Sequence, residues 1–115
     1  MSLCIYHNPR CSKSRETLAL LEQQGLTPEV IKYLDTPPDA EQIGKLLDLL
    51  GMNSARQLMR TKEAIYTELG LAEVQDEQAL IAAMVEHPKL IERPIVVNGQ
   101  QAALGRPPEQ VLDIL

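Results

Sequence analysis

The chain has 115 residues, of which 44% are hydrophobic and 23% are charged, and its formal net charge at pH 7 is −5. This length and composition are typical of one globular domain, so we predict a single domain over residues 1–115. The negative charge argues against a nucleic-acid surface, and no apolar stretch approaches the ~20 residues of a membrane span. We therefore expect neither nucleic acid nor a membrane as a partner.

Cysteine usage points to a reducing compartment. Cys4 and Cys11 are the only cysteines in the sequence, which is too few for a disulfide framework. The first residues also lack the basic, apolar and small-residue segments of a secretory signal. These features together predict a cytoplasmic protein whose thiols are reduced.

The first predicted elements form a strand, a helix and a second strand. The apolar run at 3–6 is typical of a buried strand. A helix begins at Ser12, with Leu18 and Leu21 on its apolar face, and a second strand is expected over 30–34. This order predicts a right-handed βαβ unit with parallel strands.

Helices without intervening strands are expected in the middle of the chain. Thr36 is placed to cap the first of them, and Asp39 completes a pair that resembles a capping box. Asn53-Ser54 and Asp76 mark the starts of two further helices. We therefore predict a helical insertion between the two halves of a sheet.

The last part of the chain has the pattern of a hairpin followed by a helix. Ile95-Val96-Val97 is strongly strand-like, and Asn98-Gly99 is a hairpin turn signal before a strand over 102–104. Pro107-Pro108 then starts a terminal helix. Its inward residues are expected to be Val111, Leu112 and Leu115. The whole order predicts an α/β protein with a thioredoxin-like βαβ…ββα mixed sheet.

The junction between the first strand and the first helix carries the candidate nucleophile, Cys11. The unpaired N–H groups of a helix's first turn favour a thiolate over a thiol. The alternative is a buried structural cysteine, but the basic neighbours of Cys11 favour a reactive one. The neighbours able to tune the sulfur or bond its target are His7, Asn8, Arg10, Lys13, Ser14 and Arg15.

Two further residues fit a thiol site in this fold. Ser14 lies one helical turn after Cys11, where its hydroxyl is placed to donate a hydrogen bond to the thiolate. Pro94 precedes a strand, and thioredoxin-like folds commonly place a cis-proline opposite the active cysteine. The sequence leaves the isomer open, since a trans proline is also permitted at the first residue of a strand.

Three arginines, Arg60, Arg93 and Arg106, lie near the ends of predicted elements. A guanidinium binds a tetrahedral oxyanion through two parallel N–H···O bonds and stays charged at every relevant pH. Their joint positions predict an oxyanion site, although a surface salt bridge is the alternative for each one taken singly. We take Arg56 as solvated surface, and we predict no metal.

Several motifs together resemble the glutaredoxin-linked arsenate reductases. They are Tyr6-His7-Asn8-Pro9-Arg10-Cys11-x-x-Ser14-Arg15, Tyr33-Leu34-x-Thr36-Pro37-Pro38, Glu68-Leu69-Gly70-Leu71, Arg93-Pro94-Ile95-Val96-Val97 and Arg106-Pro107. The resemblance implies that Cys11 attacks arsenate, and that Arg60, Arg93 and Arg106 hold the oxyanion and its reduced product. It also implies no bound cofactor: glutathione is a co-substrate that attacks the adduct, and glutaredoxin resolves the mixed disulfide.

Three other classes of protein are alternatives to this enzyme. A phosphatase-like arsenate reductase needs a Cys-x5-Arg loop, which Thr17 excludes. A Spx-like regulator that binds RNA polymerase typically has Cys-x-x-Cys here, so Ser14 favours the enzyme. A glutathione-dependent thiol oxidoreductase with another substrate remains an alternative. Cys4 is most simply a small core residue, and a resolving thiol is the less favoured role.

Overall fold

The computed structural model describes residues 3–115. These residues form two compact units. The sheet unit consists of the described part of Met1–Thr36 together with Arg93–Leu115, and the helical unit is Pro37–Glu92. The single domain over residues 1–115 stays a prediction. No helix within residues 3–115 is long and apolar enough to cross a membrane.

The sheet unit contains four strands in the order β2-β1-β3-β4. They are β1 at Leu3–Tyr6, β2 at Glu29–Ile31, β3 at Ile95–Asn98 and β4 at Gln101–Leu104. β1 is parallel to β2 and antiparallel to β3, and β3 pairs antiparallel with β4. The predicted mixed sheet is therefore confirmed. The second strand ends earlier than expected, because the N–H groups of Asp35 and Thr36 both donate to the Lys32 carbonyl in a turn.

The core of the sheet unit lies between the sheet and helix α1, Ser12–Gln23. Its fully buried members are Ile5, Leu21, Val96 and Val111. The buried residues of α1 are Ser14, Thr17 and Leu21, which recur at helical spacing on one face. Two of these three are polar, so this face of α1 brings hydroxyl groups into the interior.

The final helix, Pro108–Ile114, is a 3₁₀ helix. Val111 is buried as expected, but Leu112 and Leu115 are 39% and 43% exposed, so their predicted inward positions are wrong. A 3₁₀ helix has three residues per turn, so its inward positions recur every third residue. Pro108 and Val111 are accordingly buried, and Ile114 packs against the core.

The helical unit contains three α-helices and three short 3₁₀ helices. The α-helices are α2 at Ala40–Leu50, α3 at Ala64–Glu68 and α4 at Glu77–Glu86. The 3₁₀ helices are Ala55–Leu58, Leu71–Glu73 and Pro88–Leu90. Helix α4 contacts α2, Ala55–Leu58 and Pro88–Leu90. These elements form the helical insertion that the sequence predicts.

The caps of this unit match the sequence at two positions and differ at a third. Ser54 caps Ala55–Leu58 and Asp76 caps α4, as expected. Asp39 caps α2, so the assignment of that cap to Thr36 is wrong. The Asp39 carboxylate accepts the Gln42 N–H at 2.8 Å, and the Gln42 side chain accepts the Asp39 N–H at 2.9 Å. The Thr36 hydroxyl instead donates to the Lys32 carbonyl, one turn earlier.

Arg56 is half-buried rather than solvated, so the sequence-based assignment is wrong. Its guanidinium donates to the Tyr66 hydroxyl and to the carbonyls of Leu71 and Val74. These acceptors belong to α3, to the Leu71–Glu73 helix and to Val74 directly after it, 10 to 18 residues further along the chain. Arg56 therefore ties three short elements of the helical unit together.

Glu77 gives the helical unit a pH-dependent contribution to stability. Its carboxylate accepts the Ala55 N–H at 2.7 Å and the Ser54 hydroxyl at 2.9 Å. These bonds, with a smaller effect from Arg56, lower the pKa of Glu77 below its ordinary 4.5. A lowered folded-state pKa stabilises the protein above 4.5, and that contribution is lost as the pH falls through the lowered value.

We therefore expect Glu77→Gln to lower the Tm at pH 7, because a neutral amide accepts these hydrogen bonds more weakly. The Tm difference from wild type should narrow as the pH falls below 4.5. Thermal unfolding followed by circular dichroism between pH 7 and pH 3 measures this change. Glu86→Gln, at an exposed position of the same helix, is the matched control. A Tm difference that does not vary with pH would contradict the expectation.

Candidate functional site

Cys11 lies at the N-terminus of α1, where it is the N-cap with φ −95° and ψ 123°. Its N–H donates to the Asn8 carbonyl at 3.0 Å, and its carbonyl accepts the Arg15 N–H at 3.0 Å. The residue is 8% exposed. Its Sγ accepts a hydrogen bond from Arg106 Nη2 at 3.6 Å. The sulfur is therefore placed beside both a guanidinium and the positive end of a helix.

Arg106 is held in place by the strand beside it. The β3–β4 ladder ends at the pair Ile95 and Leu104. The Gly105 N–H then donates to the Pro94 carbonyl at 2.9 Å. Arg106 Nε donates to the Arg93 carbonyl at 2.6 Å, so a side chain continues the ladder where the main chain leaves it. The bond from Nε orients the Arg106 guanidinium, whose Nη2 then bonds Cys11 Sγ.

Arg93 contributes a hydrogen-bond donor without an acceptor. Its Nε is buried, and residues 3–115 supply no hydrogen-bond partner for it. Leaving a charged, buried donor unsatisfied is costly, so this atom favours an acceptor from outside the chain.

The Arg93–Pro94 and Arg106–Pro107 peptide bonds are both cis.

His7 and Ser14 form a buried polar pair behind the cysteine turn. His7 Nδ1 and Ser14 Oγ are 2.7 Å apart and hydrogen-bonded, and the two residues are 6% and 0% exposed. The Asn8 N–H donates to the same oxygen at 3.0 Å. The described bonds of Ser14 thus connect it to the loop, whereas the sequence suggested donation to the sulfur.

His7 is kept neutral by its surroundings. Burial lowers the pKa of His7 below its ordinary 6.5, and the positive charges of Lys32 and Arg15 lower it further. These surroundings therefore favour the neutral ring over the positively charged one. Its role in this geometry is to pair with the Ser14 hydroxyl.

Asn8 and Arg15 shape the turn that carries Cys11. Asn8 Oδ1 accepts the Arg10 N–H at 3.0 Å, which closes a local side-chain turn. Arg15 Nη1 donates to the Pro9 carbonyl at 3.0 Å, from the first turn of α1 back to the loop. Both side chains therefore hold the main chain that precedes the sulfur.

Arg60 belongs to the helical unit and has its own partners there. Its Nε lies 3.1 Å from a carboxylate oxygen of Glu63, and its Nη1 lies 3.5 Å from one of Glu92. Glu63 also lies 3.8 Å from Lys89 Nζ. An oxyanion role for Arg60 stays a prediction. The other predicted site residues, Cys11, Arg93, Arg106, His7, Asn8, Ser14, Arg15 and Pro94, belong to the sheet unit.

Thr17 is a residue of this region whose structural role sequence reasoning missed. It is fully buried, and its hydroxyl donates to the Lys13 carbonyl at 2.8 Å and lies 3.5 Å from the Gly105 carbonyl oxygen. The available signal was spacing, because Thr17 follows Ser14 by three residues on the face that also carries Leu21. The hydroxyl groups of Ser14 and Thr17 share the buried face of α1 with Leu21, which indicates that polar atoms of another segment pack against this face.

Cys4 differs from Cys11 in its surroundings. It lies in β1, paired with Glu29 of β2 and with Val97 of β3. Burial raises the pKa of the Cys4 thiol, and the negative charge of Glu29 raises it further. A thiol that resists ionisation is a poor nucleophile, so this geometry favours a packing role for Cys4.

Within residues 3–115, no three His, Cys, Asp or Glu side chains lie close enough together to hold a metal ion.

Ser14→Ala is expected to destabilise the protein by about 1–3 kcal/mol, because it leaves the buried His7 Nδ1 and the Asn8 N–H unpaired. The free energy of unfolding in urea measures this loss. Ser12→Ala is the matched control, because Ser12 is the exposed first residue of the same helix. Equal effects of the two substitutions would show that the His7–Ser14 bond contributes nothing specific.

The sheet order β2-β1-β3-β4, with Cys11 at the start of the first helix, places this protein in the class of thioredoxin-like folds. The model of the ArsC family matches residues 6–114, and the chain belongs to that family. The family suggested by the sequence motifs is therefore confirmed.

Two relatives and one solved structure illustrate this membership. The chain is 63% identical to the uncharacterized protein YfgD of Escherichia coli K12 over 112 residues, covering 96% of this chain and 94% of YfgD. It is 51% identical to the arsenate reductase of Haemophilus influenzae, with full coverage of both chains. The structure of arsenate reductase from Vibrio cholerae matches with a TM-score of 0.97 and 63% identity, covering 100% of this chain and 98% of that one.

Proposed function

We propose that this chain reduces arsenate to arsenite, with Cys11 as the nucleophile and glutathione as the electron donor. The observation that carries the proposal is the 3.6 Å hydrogen bond from Arg106 Nη2 to Cys11 Sγ. A guanidinium in this position stabilises a thiolate and also attracts an anionic substrate to it. The relatives named as arsenate reductases support arsenate as that anion.

The first step joins the sulfur to arsenic. The Cys11 thiolate attacks As(V), an S–As bond forms, and one arsenate oxygen leaves as water after protonation. The thiolate of glutathione then attacks the Cys11 sulfur. The electron pair of the S–As bond passes to arsenic, which leaves as arsenite, As(III), while a Cys11–glutathione disulfide forms. Glutaredoxin accepts the glutathionyl group by thiol–disulfide exchange and restores the Cys11 thiol.

The oxyanion is held by arginines in this proposal. Arg93 Nε is a buried donor without a partner in the described chain, and an arsenate oxygen would satisfy it. Arg106 supplies a guanidinium that is already anchored at Nε. Arg60 is included on the resemblance of the motifs alone. Because the reaction consumes glutathione, we place it in the cytoplasm, where thiols are kept reduced.

The test is arsenite formation by the purified protein with arsenate, glutathione and glutaredoxin, measured with each component omitted in turn. We expect continuing arsenite formation only when all three are present. Without glutaredoxin, no more than about one arsenite should form per protein molecule, because Cys11 then stays in its disulfide with glutathione. No turnover by folded wild-type protein would overturn the arsenate assignment. Turnover of a disulfide substrate in place of arsenate would favour the thiol oxidoreductase, and unchanged turnover without glutathione would overturn the proposed reductant.

A further inference from the structure

Gly105 lies where α1, Pro94 and the end of β4 meet, and there is no room for a side chain. A Cβ built on Gly105 would lie 2.7 Å from Pro94 Cγ and 3.0 Å from Thr17 Cγ2, and closer still to Thr17 Oγ1. Real Cβ atoms essentially never approach other heavy atoms to less than 3.0 Å. A methyl group at position 105 therefore fits only if both Thr17 and Pro94 shift or the main chain at position 105 moves away from them.

The neighbours of Gly105 are the groups that place Arg106. On one side the Gly105 N–H donates to the Pro94 carbonyl, and the next residue, Arg106, bonds the Arg93 carbonyl through Nε. On the other side Thr17 belongs to α1, the helix that Cys11 caps. The close approach at Gly105 thus sets the spacing between the helix that carries the sulfur and the segment that carries the guanidinium.

We propose that Gly105 is a positioning residue: its close packing against Thr17 holds Arg106 against Cys11 Sγ and so gives this thiol its preference for anionic reactants. The inference rests on the proposed function only for the identity of the anion as arsenate. The preference itself is a property of the sulfur–guanidinium pair, which is measurable without any arsenate.

The probe is alkylation of Cys11 by two reagents of similar size and different charge. The thiolate displaces iodide from either iodoacetate, an anion, or iodoacetamide, which is neutral, and forms a C–S bond in both cases. Peptide mapping by mass spectrometry separates Cys11 from Cys4. The ratio of the iodoacetate rate to the iodoacetamide rate then reports the positive charge beside the sulfur.

Arg106→Gln should lower this ratio by about five- to tenfold, the effect of removing one unit charge near 4 Å in a water-like dielectric. Gly105→Ala should lower the ratio in the same direction by about threefold, because the strand end moves away from α1. In the Arg106→Gln background, Gly105→Ala should produce little further change. A substitution that merely loosens the fold would not show this dependence on Arg106.

Gly44→Ala is the matched control. Gly44 lies in α2 of the helical unit, and a Cβ there would meet no heavy atom within 4 Å. It should leave the ratio unchanged. Thr17→Ala combined with Gly105→Ala removes the two Thr17 contacts, so the double variant should recover part of the ratio. If Gly105→Ala alone does not fold, the double variant should recover folding.

Several outcomes overturn the proposal. A folded Gly105→Ala protein with the wild-type ratio shows that the close approach does not position Arg106. Equal slowing with both reagents shows a general disturbance of the turn. A double variant that recovers neither folding nor the ratio removes Thr17 from the inference. If wild type never reduces arsenate but the ratio falls as described, the proposed function fails and this inference stands.

Discussion

Cys11→Ser is expected to reduce arsenite formation to background, a loss of about 10³-fold or more, as is typical when a covalent nucleophile is removed. In the proposed cycle the sulfur is used twice, first to attack arsenic and then as one half of a disulfide. A serine hydroxyl is a weaker nucleophile at neutral pH and cannot form the disulfide, so it interrupts both steps. The rate of arsenite release in the complete glutathione and glutaredoxin assay measures the effect.

Cys4→Ala is the matched control for this experiment. Its thiol lies in β1 with a raised pKa, so its removal should leave the rate close to that of wild type. Arsenite formation by the Cys11→Ser variant at the wild-type rate would contradict the proposed mechanism. A folded Cys4→Ala protein that loses activity to the same extent would show that Cys4 acts as a resolving thiol.

Arg106→Ala is expected to lower kcat/KM for arsenate by about 10²–10³-fold, the usual cost of removing one donor from an oxyanion site. Arg106→Lys should recover only a small part of this loss. Lysine keeps the charge, but it has no Nε to bond the Arg93 carbonyl while a second nitrogen reaches the sulfur. Steady-state kinetics over a range of arsenate concentrations separates kcat from KM.

Lys45→Gln controls for the loss of one positive charge, because Lys45 is exposed on α2 in the helical unit. It should have little effect on kcat/KM. Wild-type kinetics in Arg106→Lys would show that charge alone is sufficient. In that case, the hydrogen bond from Arg106 Nε to the Arg93 carbonyl would not contribute to activity.

Local signals predicted much of the fold because they depend on residues close in sequence. The Asn98-Gly99 signal predicted the β3–β4 hairpin, although Asn98 pairs with Gln101 as the last residue of β3 and the turn residues are Gly99 and Gln100. Asp76 marked the start of α4. The cap of α2 was assigned to Thr36, with Asp39 as the second member of the pair, whereas Asp39 itself is the cap. Here the decisive factor was a reciprocal bond between Asp39 and Gln42, which needs the main chain already turned into the helix.

Partners distant in sequence explain what the sequence could not predict. Arg56 was assigned to solvent, and its acceptors lie up to 18 residues away with no common motif. Thr17 served in the sequence only to exclude a Cys-x5-Arg loop, because its packing role depends on Gly105, 88 residues later. The sequence placed Cys11 at a helix start and Arg106 before a terminal helix, but the hydrogen bond between them needs the complete sheet.

The bond from Arg106 Nε to the Arg93 carbonyl makes the position of a charge depend on strand register. Arg106 is aligned by the β3–β4 pairing, and that pairing is set at the opposite end of the hairpin by the turn after Asn98, where Gly99 has φ 63°. A one-residue slip would turn every side chain of β4 to the other face. The length of this distant turn therefore determines whether a guanidinium or an unrelated side chain lies beside the sulfur.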